Sequence, residues 1–283
     1  MTTAPNDATR LAREALEAGA DRVVAVGGDG TINEVVNGFF APLTPDDADG
    51  AVRPVRADAA FGLLPLGTGG DFRRTAGIPT DFDEAAAVLA AGKTRIIDLG
   101  RLDFVGPDGP AARLFVNICS FGVSGVVDRI INQSGKKLGK LSFVLSTMRA
   151  AMQYDNQRVH LQFDRGLPTD GAADLTINTV AIANGRYFGG AMMIAPDAEL
   201  DDGQFDVVAL GDFGTAELMM HSRKIYAGTH LRLAKVSARR AVHVDASAAE
   251  PGGVVELDLD GENVGQLPAR FTMLPRALRL TVP

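Results

Sequence analysis

The sequence predicts an α/β chain in two parts, a doubly wound α/β domain over residues 1–97 followed by a β-rich sandwich domain over 98–269, with residues 270–283 returning to the first. Three observations predict it. The first hundred residues alternate short apolar runs with helical segments, the rhythm of a parallel sheet. After Asp98 the runs become β-rich and turn-separated, as in an antiparallel sandwich or barrel. The 283 residues are 46% hydrophobic, enough to fill two cores.

The elements follow in order. Ala8 to Ala18 is amphipathic, with Leu11, Ala15 and Ala18 on one side and Arg10, Arg13, Glu14 and Glu17 mostly on the other. Val23 to Val26 reads as a buried strand, Ile32 to Phe40 as a helix, Phe61 to Leu64 as a second strand and Asp83 to Ala91 as another helix. The polar, proline-containing stretch from Pro42 to Asp58 reads as a surface loop. Beyond a boundary near Asp98, strands are expected at Arg113 to Ile118, Val159 to Phe163, Leu175 to Ala183, Phe205 to Leu210, Ala241 to Val244, Val254 to Leu259 and Ala277 to Val282. One helical pattern, Leu138 to Met152, interrupts them.

Composition narrows the function. No apolar run approaches the roughly 18 residues of a membrane-spanning helix, and Met1 to Arg10 does not read as a secretory signal. The single cysteine, Cys119, allows no intrachain disulfide and leans towards a reducing cytoplasm, with the thiol as a small buried apolar group. Net charge is −7, but unevenly spread: residues 129–165 carry 7 basic and 2 acidic side chains, and residues 221–243 carry 6 basic and none acidic. Such faces suit phosphate or anionic lipid headgroups, or are simply solvated surfaces. Nucleic acid is not expected as a partner, because aromatic residues are few and no recognition motif accompanies the Lys and Arg.

The strongest local signal is a strand running into Gly27-Gly28-Asp29-Gly30-Thr31-Ile32-Asn33-Glu34. Glycines let backbone approach a ligand, and the helix start beyond them offers free N–H groups and a positive dipole end to phosphate. Thr31 and Glu34 also fit a capping box. A second loop, Gly67-Thr68-Gly69-Gly70-Asp71-Phe72, again follows an apolar strand, so both loops would face one crevice at the strands' carboxyl ends. Asp29 and Asp71 suit a Mg²⁺ ion that neutralises a triphosphate. Residues 130–137 do not form a P-loop, and the four histidines lack zinc spacing.

Residues 27–38 and 65–72 together resemble the catalytic domain of the diacylglycerol kinase and sphingosine kinase superfamily, in particular its soluble bacterial members. The resemblance extends through Asn184 to Gly190, Ala195 to Gly203, Tyr226 to His230 and Asp260-Gly261-Glu262, almost the whole chain. It implies an NAD kinase-like nucleotide domain, ATP-dependent phosphorylation of a lipid hydroxyl, and a lipid presented at the inner membrane surface to a cytoplasmic or peripheral enzyme, with a homodimer left open. By position, Thr2, Gly27 to Asn33 and Thr68 would bind ATP, and Glu262 would be the general base; read bare, Asp260-Gly261 is a hairpin turn. Asp98 would be a second carboxylate linked to the active site. A structural Mg²⁺ would take Asp202 and the carbonyls of Glu199 and Gln204, although the same run reads equally as an Asp-Gly hairpin.

Two departures carry expectations. Family members place a strand ending in Asn-Pro-x-Ser-Gly ahead of the helix that comes first here, so an open sheet edge, lower stability and weak nucleotide binding are expected. The usual Gly-Asn-Asp-Phe reads Gly69-Gly70-Asp71-Phe72, which changes loop geometry while keeping the aspartate. The alternatives are a non-catalytic lipid binder, an NAD kinase-like enzyme, and a kinase for a soluble polyol or isoprenoid alcohol.

Overall fold

The computed structural model describes residues 2, 4, 6–45, 52–66, 70–125 and 154–283. The Leu138 to Met152 helical pattern and Thr68 lie outside them.

The chain opens with α1 (Asp7–Glu17), β1 (Arg22–Gly27), α2 (Asp29–Gly38), β2 (Ala60–Pro65), α3 (Asp71–Thr75) and α4 (Phe82–Ala91). Strands β1 and β2 pair in parallel, so their carboxyl ends, and the loops leaving them, lie side by side. Helices α1 and α2 touch where a side chain at Gly38 would stand 2.6 Å from Ala12 Cβ, an approach only glycine permits. Leu16, Ile32, Val36, Phe39, Phe61 and Leu63 form the core beneath them. Helix α4 starts where the Asp81 carboxylate accepts the Asp83 and Glu84 N–H groups, a cap worth about 1 kcal/mol.

Helix α2 begins at Asp29, three residues ahead of the expected Ile32, and the capping box does not form. Its N-cap is Gly28, and the Glu34 carboxylate instead accepts the Ala8 N–H at 3.0 Å. Asp29 itself favours the earlier start, because its charge lies in the first turn against the helix dipole.

The second half is a sandwich: β3 (Thr94–Gly106), β4 (Gly109–Phe115), β5 (Ile118–Gly122), β6 (Gln157–Phe163), β7 (Gly171–Ile177), β8 (Thr179–Ala183), β9 (Phe205–Leu210), β10 (Val236–Ala241), β11 (His243–Ala248), β12 (Glu256–Leu259) and β13 (Glu262–Thr281). The ladder runs β10-β9-β8-β5-β12-β13-β11-β6-β7. The 20-residue β13 joins everything, pairing antiparallel with β12, β11 and β3 and, near its end, parallel with β2. Alternation along β6 sends Val159, Leu161 and Phe163 inward with Phe115, Phe121, Phe205, Leu257 and Phe271. Cys119 is fully buried there, as expected.

Three expected strands each prove to be two. Arg113 to Ile118 breaks between β4 and β5, Leu175 to Ala183 at Asn178, and Ala241 to Val244 at Val242. At each break the chain changes pairing partners, and a buried polar group holds the corner. Asp260 accepts the Val116 and Ile118 N–H groups, the Asn178 N–H donates to Leu210 O, and the Asp164 carboxylate accepts the Val242 and His243 N–H groups. A helix that apolar periodicity did not announce, α5 (Thr215–Tyr226), follows β9; of its residues only Ile225 is buried.

Candidate active site

At the paired ends of β1 and β2, α2 starts without a side-chain cap, leaving its first-turn N–H groups and positive dipole end to an anion. Asp29, in that turn, reaches across to the second loop. Its carboxylate accepts the Gly70 N–H at 2.8 Å and the Asp71 and Phe72 N–H groups at 3.4 Å, so it caps α3 from another helix. Asp71 is turned the other way, accepting the Gly190 and Ala191 N–H groups at 2.8 and 2.7 Å. Burial and the nearby Asp29 charge push Asp71 above the usual carboxylate range.

The third component comes from the far end of the chain. Asp260 (φ 50°) and Gly261 (φ 89°) make the tight turn between β12 and β13, which delivers Glu262 to the glycine loop. A Cβ at Gly30 would sit 3.0 Å from Glu262 Oε1, so glycine makes room for the carboxylate over the first turn of α2. Arg113 Nη1 lies 3.6 Å from Glu262 Oε2.

Asp260 is therefore more than a turn residue. Besides the two β4–β5 corner amides, it accepts a 2.9 Å bond from Asn33 Nδ2, so one buried carboxyl ties α2, the corner and the Glu262 hairpin together. Burial pushes it up to about 7 from the ordinary 3.8. Between these values the folded protein holds a proton that the unfolded chain has released, so the cost of burying the charge is absent at low pH and grows to its full size above about pH 7. The stability of Asp260→Asn relative to the parent should therefore rise between about pH 5 and about pH 8 in urea unfolding. A gap between the two proteins that does not change with pH would exclude this.

The other residues proposed from sequence separate into groups. Ile32 is buried in the core with its N–H donated to Gly28 O, and Asn33 spends its side-chain amide on Leu114 O and Asp260, so neither side chain is free for a ligand. Thr2 is exposed ahead of α1. Asp98 lies mid-strand in β3, fully buried rather than at a strand end, and accepts the Gly203 N–H at 2.7 Å and the Arg276 N–H at 2.6 Å. It thus ties the acidic loop to β3 and β13.

That loop, 184–204, is a long connection between β8 and β9 and not the tight Asp-Gly hairpin of the bare reading. Asp202 Oδ1 accepts the Gln204 N–H at 3.1 Å. Asp202 Oδ2 is buried without a hydrogen-bond partner and faces Arg240 at 3.5 Å, and Asp206 Oδ2 lacks a hydrogen-bond partner likewise, its Oδ1 lying 3.7 Å from the same Arg240. Two orphaned carboxylate oxygens fit a cation bound there. Near the glycine loops, Asp29 and Asp71 feel each other's charge, and a cation there would share oxygens that already accept loop N–H groups. Among the described residues no cluster of three or more acidic, His or Cys side chains forms an all-side-chain metal site.

Sequence reasoning missed Arg113 and the second role of Asp260; a turn aspartate two residues before Glu262 was the only signal, and it looked fully explained by the turn.

Residues 1–102 match the family model described as the diacylglycerol kinase catalytic domain, and residues 117–282 that of the YegS C-terminal NAD kinase beta sandwich-like domain. A diacylglycerol kinase of Bacillus subtilis (strain 168) is 31% identical over 284 residues, covering 100% of this chain and 84% of that protein. One of Staphylococcus carnosus (strain TM300) is 29% identical over 286 residues, covering 100% and 83%. A crystal structure of a diacylglycerol kinase from Bacillus anthracis str. Sterne superposes with TM-score 0.67 at 20% identity, covering 100% of this chain and 83% of that one. Yeast NADH kinase complexed with NADH shares the fold at TM-score 0.51 and 12% identity, covering 96% and 64%.

Proposed function

Because the chain belongs to the diacylglycerol kinase family of lipid kinases, we propose that the γ-phosphate of ATP passes to a lipid hydroxyl in the cleft between its two glycine loops and the Asp260–Glu262 hairpin. It is an ATP-dependent lipid kinase, a phosphotransferase with an alcohol group as acceptor. The observation that carries the site assignment is the seat of Glu262 against Gly30, which puts a carboxylate beside the helix terminus that receives phosphate.

In this reading residues 1–97 with 270–283 hold the nucleotide and residues 98–269 the acceptor. The loop Gly27 to Asn33, with Thr31, Thr68 and Thr2, binds ATP; the first-turn N–H groups of α2 ahead of Ile32, whose own N–H goes to Gly28 O, draw the phosphates by dipole and hydrogen bonds. Glu262 accepts the proton of the acceptor hydroxyl as its oxygen attacks the γ-phosphorus, and Arg113 holds that carboxylate in place. Asp29 locks the two loops into one geometry. Asp29 and Asp71 would hold Mg²⁺ at the phosphates, and Asp202 with the carbonyls of Glu199 and Gln204 a second ion. When bound, the first neutralises phosphate charge. Asp98 acts at a distance, as a positioning residue that fixes the 199–204 loop against β3 and β13.

No helix among the described residues is long and apolar enough to cross a membrane; in this reading the enzyme is cytoplasmic and meets its acceptor at the inner membrane surface. Labelled ATP with Mg²⁺ and mixed micelles of diacylglycerol, a sphingoid base or phosphatidylglycerol test the function directly. Label should move into at least one of these lipids. A folded protein that labels none of them, and no other hydroxyl lipid, overturns the reading.

A further inference from the structure

Helix α5 has an outer face that its packing does not explain. Leu218 and Ile225 point to the core, while Met219, Met220 and Tyr226 are exposed at 47%, 79% and 50%. Arg223 stands one turn beyond Met219 and Lys224 one turn beyond Met220, on the same side. Both are exposed, and neither makes an ion pair among the described residues. The only acidic residue of the helix, Glu217, is neutralised by Lys235 at 2.6 Å. The outer face is therefore apolar at its tip and cationic along its flank, on a protein whose net charge is −7.

We propose that α5 is the docking element that holds the enzyme on an anionic bilayer, an assignment that rests on the lipid-kinase reading. Thioether and phenol side chains enter the headgroup boundary, while Arg223, Lys224 and the nearby Arg232 pair with lipid phosphates. A protein that is acidic overall is repelled by an anionic surface in most orientations, so a local basic face selects the one in which it lands. Its place in the fold suits the task. Directly after α5, Gly228 packs so tightly that a Cβ there would stand 2.6 Å from Met193 Sδ, and His230 Nε2 lies 3.0 Å from Ile194 O. The same segment donates its Gly190 and Ala191 N–H groups to Asp71. A bilayer under α5 thus lies beside the loop that roofs the catalytic aspartates.

The test uses the whole chain, vesicles of phosphatidylcholine with or without phosphatidylglycerol, and the variants Met219→Ser/Met220→Ser and Arg223→Glu/Lys224→Glu. All four positions are exposed and outside the catalytic machinery. The parent should sediment with anionic vesicles and not with neutral ones, and each variant should bind at least about 10-fold more weakly. Phosphorylation of a short-chain, monomeric diacylglycerol should be unchanged in both, while phosphorylation of vesicle-embedded acceptor falls with binding. Vesicle binding that neither variant weakens overturns the proposal, as does a change only in self-association, which would make the face a contact between copies. If the parent phosphorylates no lipid but binds vesicles through α5, the kinase reading fails and the docking assignment stands.

Discussion

Replacing Glu262 with Gln should lower lipid phosphorylation by about 10²- to 10⁴-fold, the range for loss of a positioned general base, with ATP affinity unchanged. Gln keeps the size of the side chain, so the contact with Gly30 and the β12–β13 turn survive. What disappears is the ability to accept a proton from the acceptor hydroxyl. The loss belongs to kcat, because the carboxylate's contribution grows only as the oxygen attacks. Rates measured across pH check the assignment further: the limb reporting a base should vanish in the variant. A Glu262→Gln enzyme that keeps more than about a tenth of parent activity would remove Glu262 from the chemistry and leave it a turn residue.

Asp29→Ala should do comparable damage by another route. It removes the acceptor of three N–H groups at the start of α3, and α3 has no other side-chain cap. Losing hydrogen bonds to a charged group costs about 1.5–3 kcal/mol, discounted here because Asp29 is only partly buried. The larger effect is on function. With the second loop no longer tied to the first, phosphates lose one wall of their seat and the pair Asp29 and Asp71 loses half its charge. ATP affinity and transfer rate should fall together, in contrast to Glu262→Gln. Because the chain contains no Trp, unfolding is best followed by circular dichroism and nucleotide binding by calorimetry. Normal ATP affinity in a folded Asp29→Ala protein would show that the loops hold nucleotide independently.

The contrast between these residues marks what the sequence made legible. Both glycine loops, the parallel strands before them and the β-rich second half were visible in local patterns, because each repeats with the period of its element. Glu262 emerged through resemblance alone; its own neighbourhood spelled only a hairpin. The bond from Asp29 to Gly70 spans 41 positions, and that from Asn33 to Asp260 spans 227, so no local pattern carries either. The split strands show the same limit. At Asn178 and Val242 the apolar run continues while the backbone turns into another part of the sheet, and the groups that hold the corner are Asp164 and the Leu210 carbonyl, distant in sequence. Helix α5 escaped notice for an opposite reason: its inward stripe is only Leu218 and Ile225, and its outer face is apolar too.

The long strand β13 carries a consequence in time. The pairing of Arg279 with Ala60 joins residues about 220 positions apart. At about 5–20 residues per second of synthesis, the edge of β2 that this pairing covers waits about 10–40 s on the ribosome, exposed to other strands. Contacts this non-local make closure slow and late. Until then the growing chain carries an uncovered strand edge that the finished protein has paired.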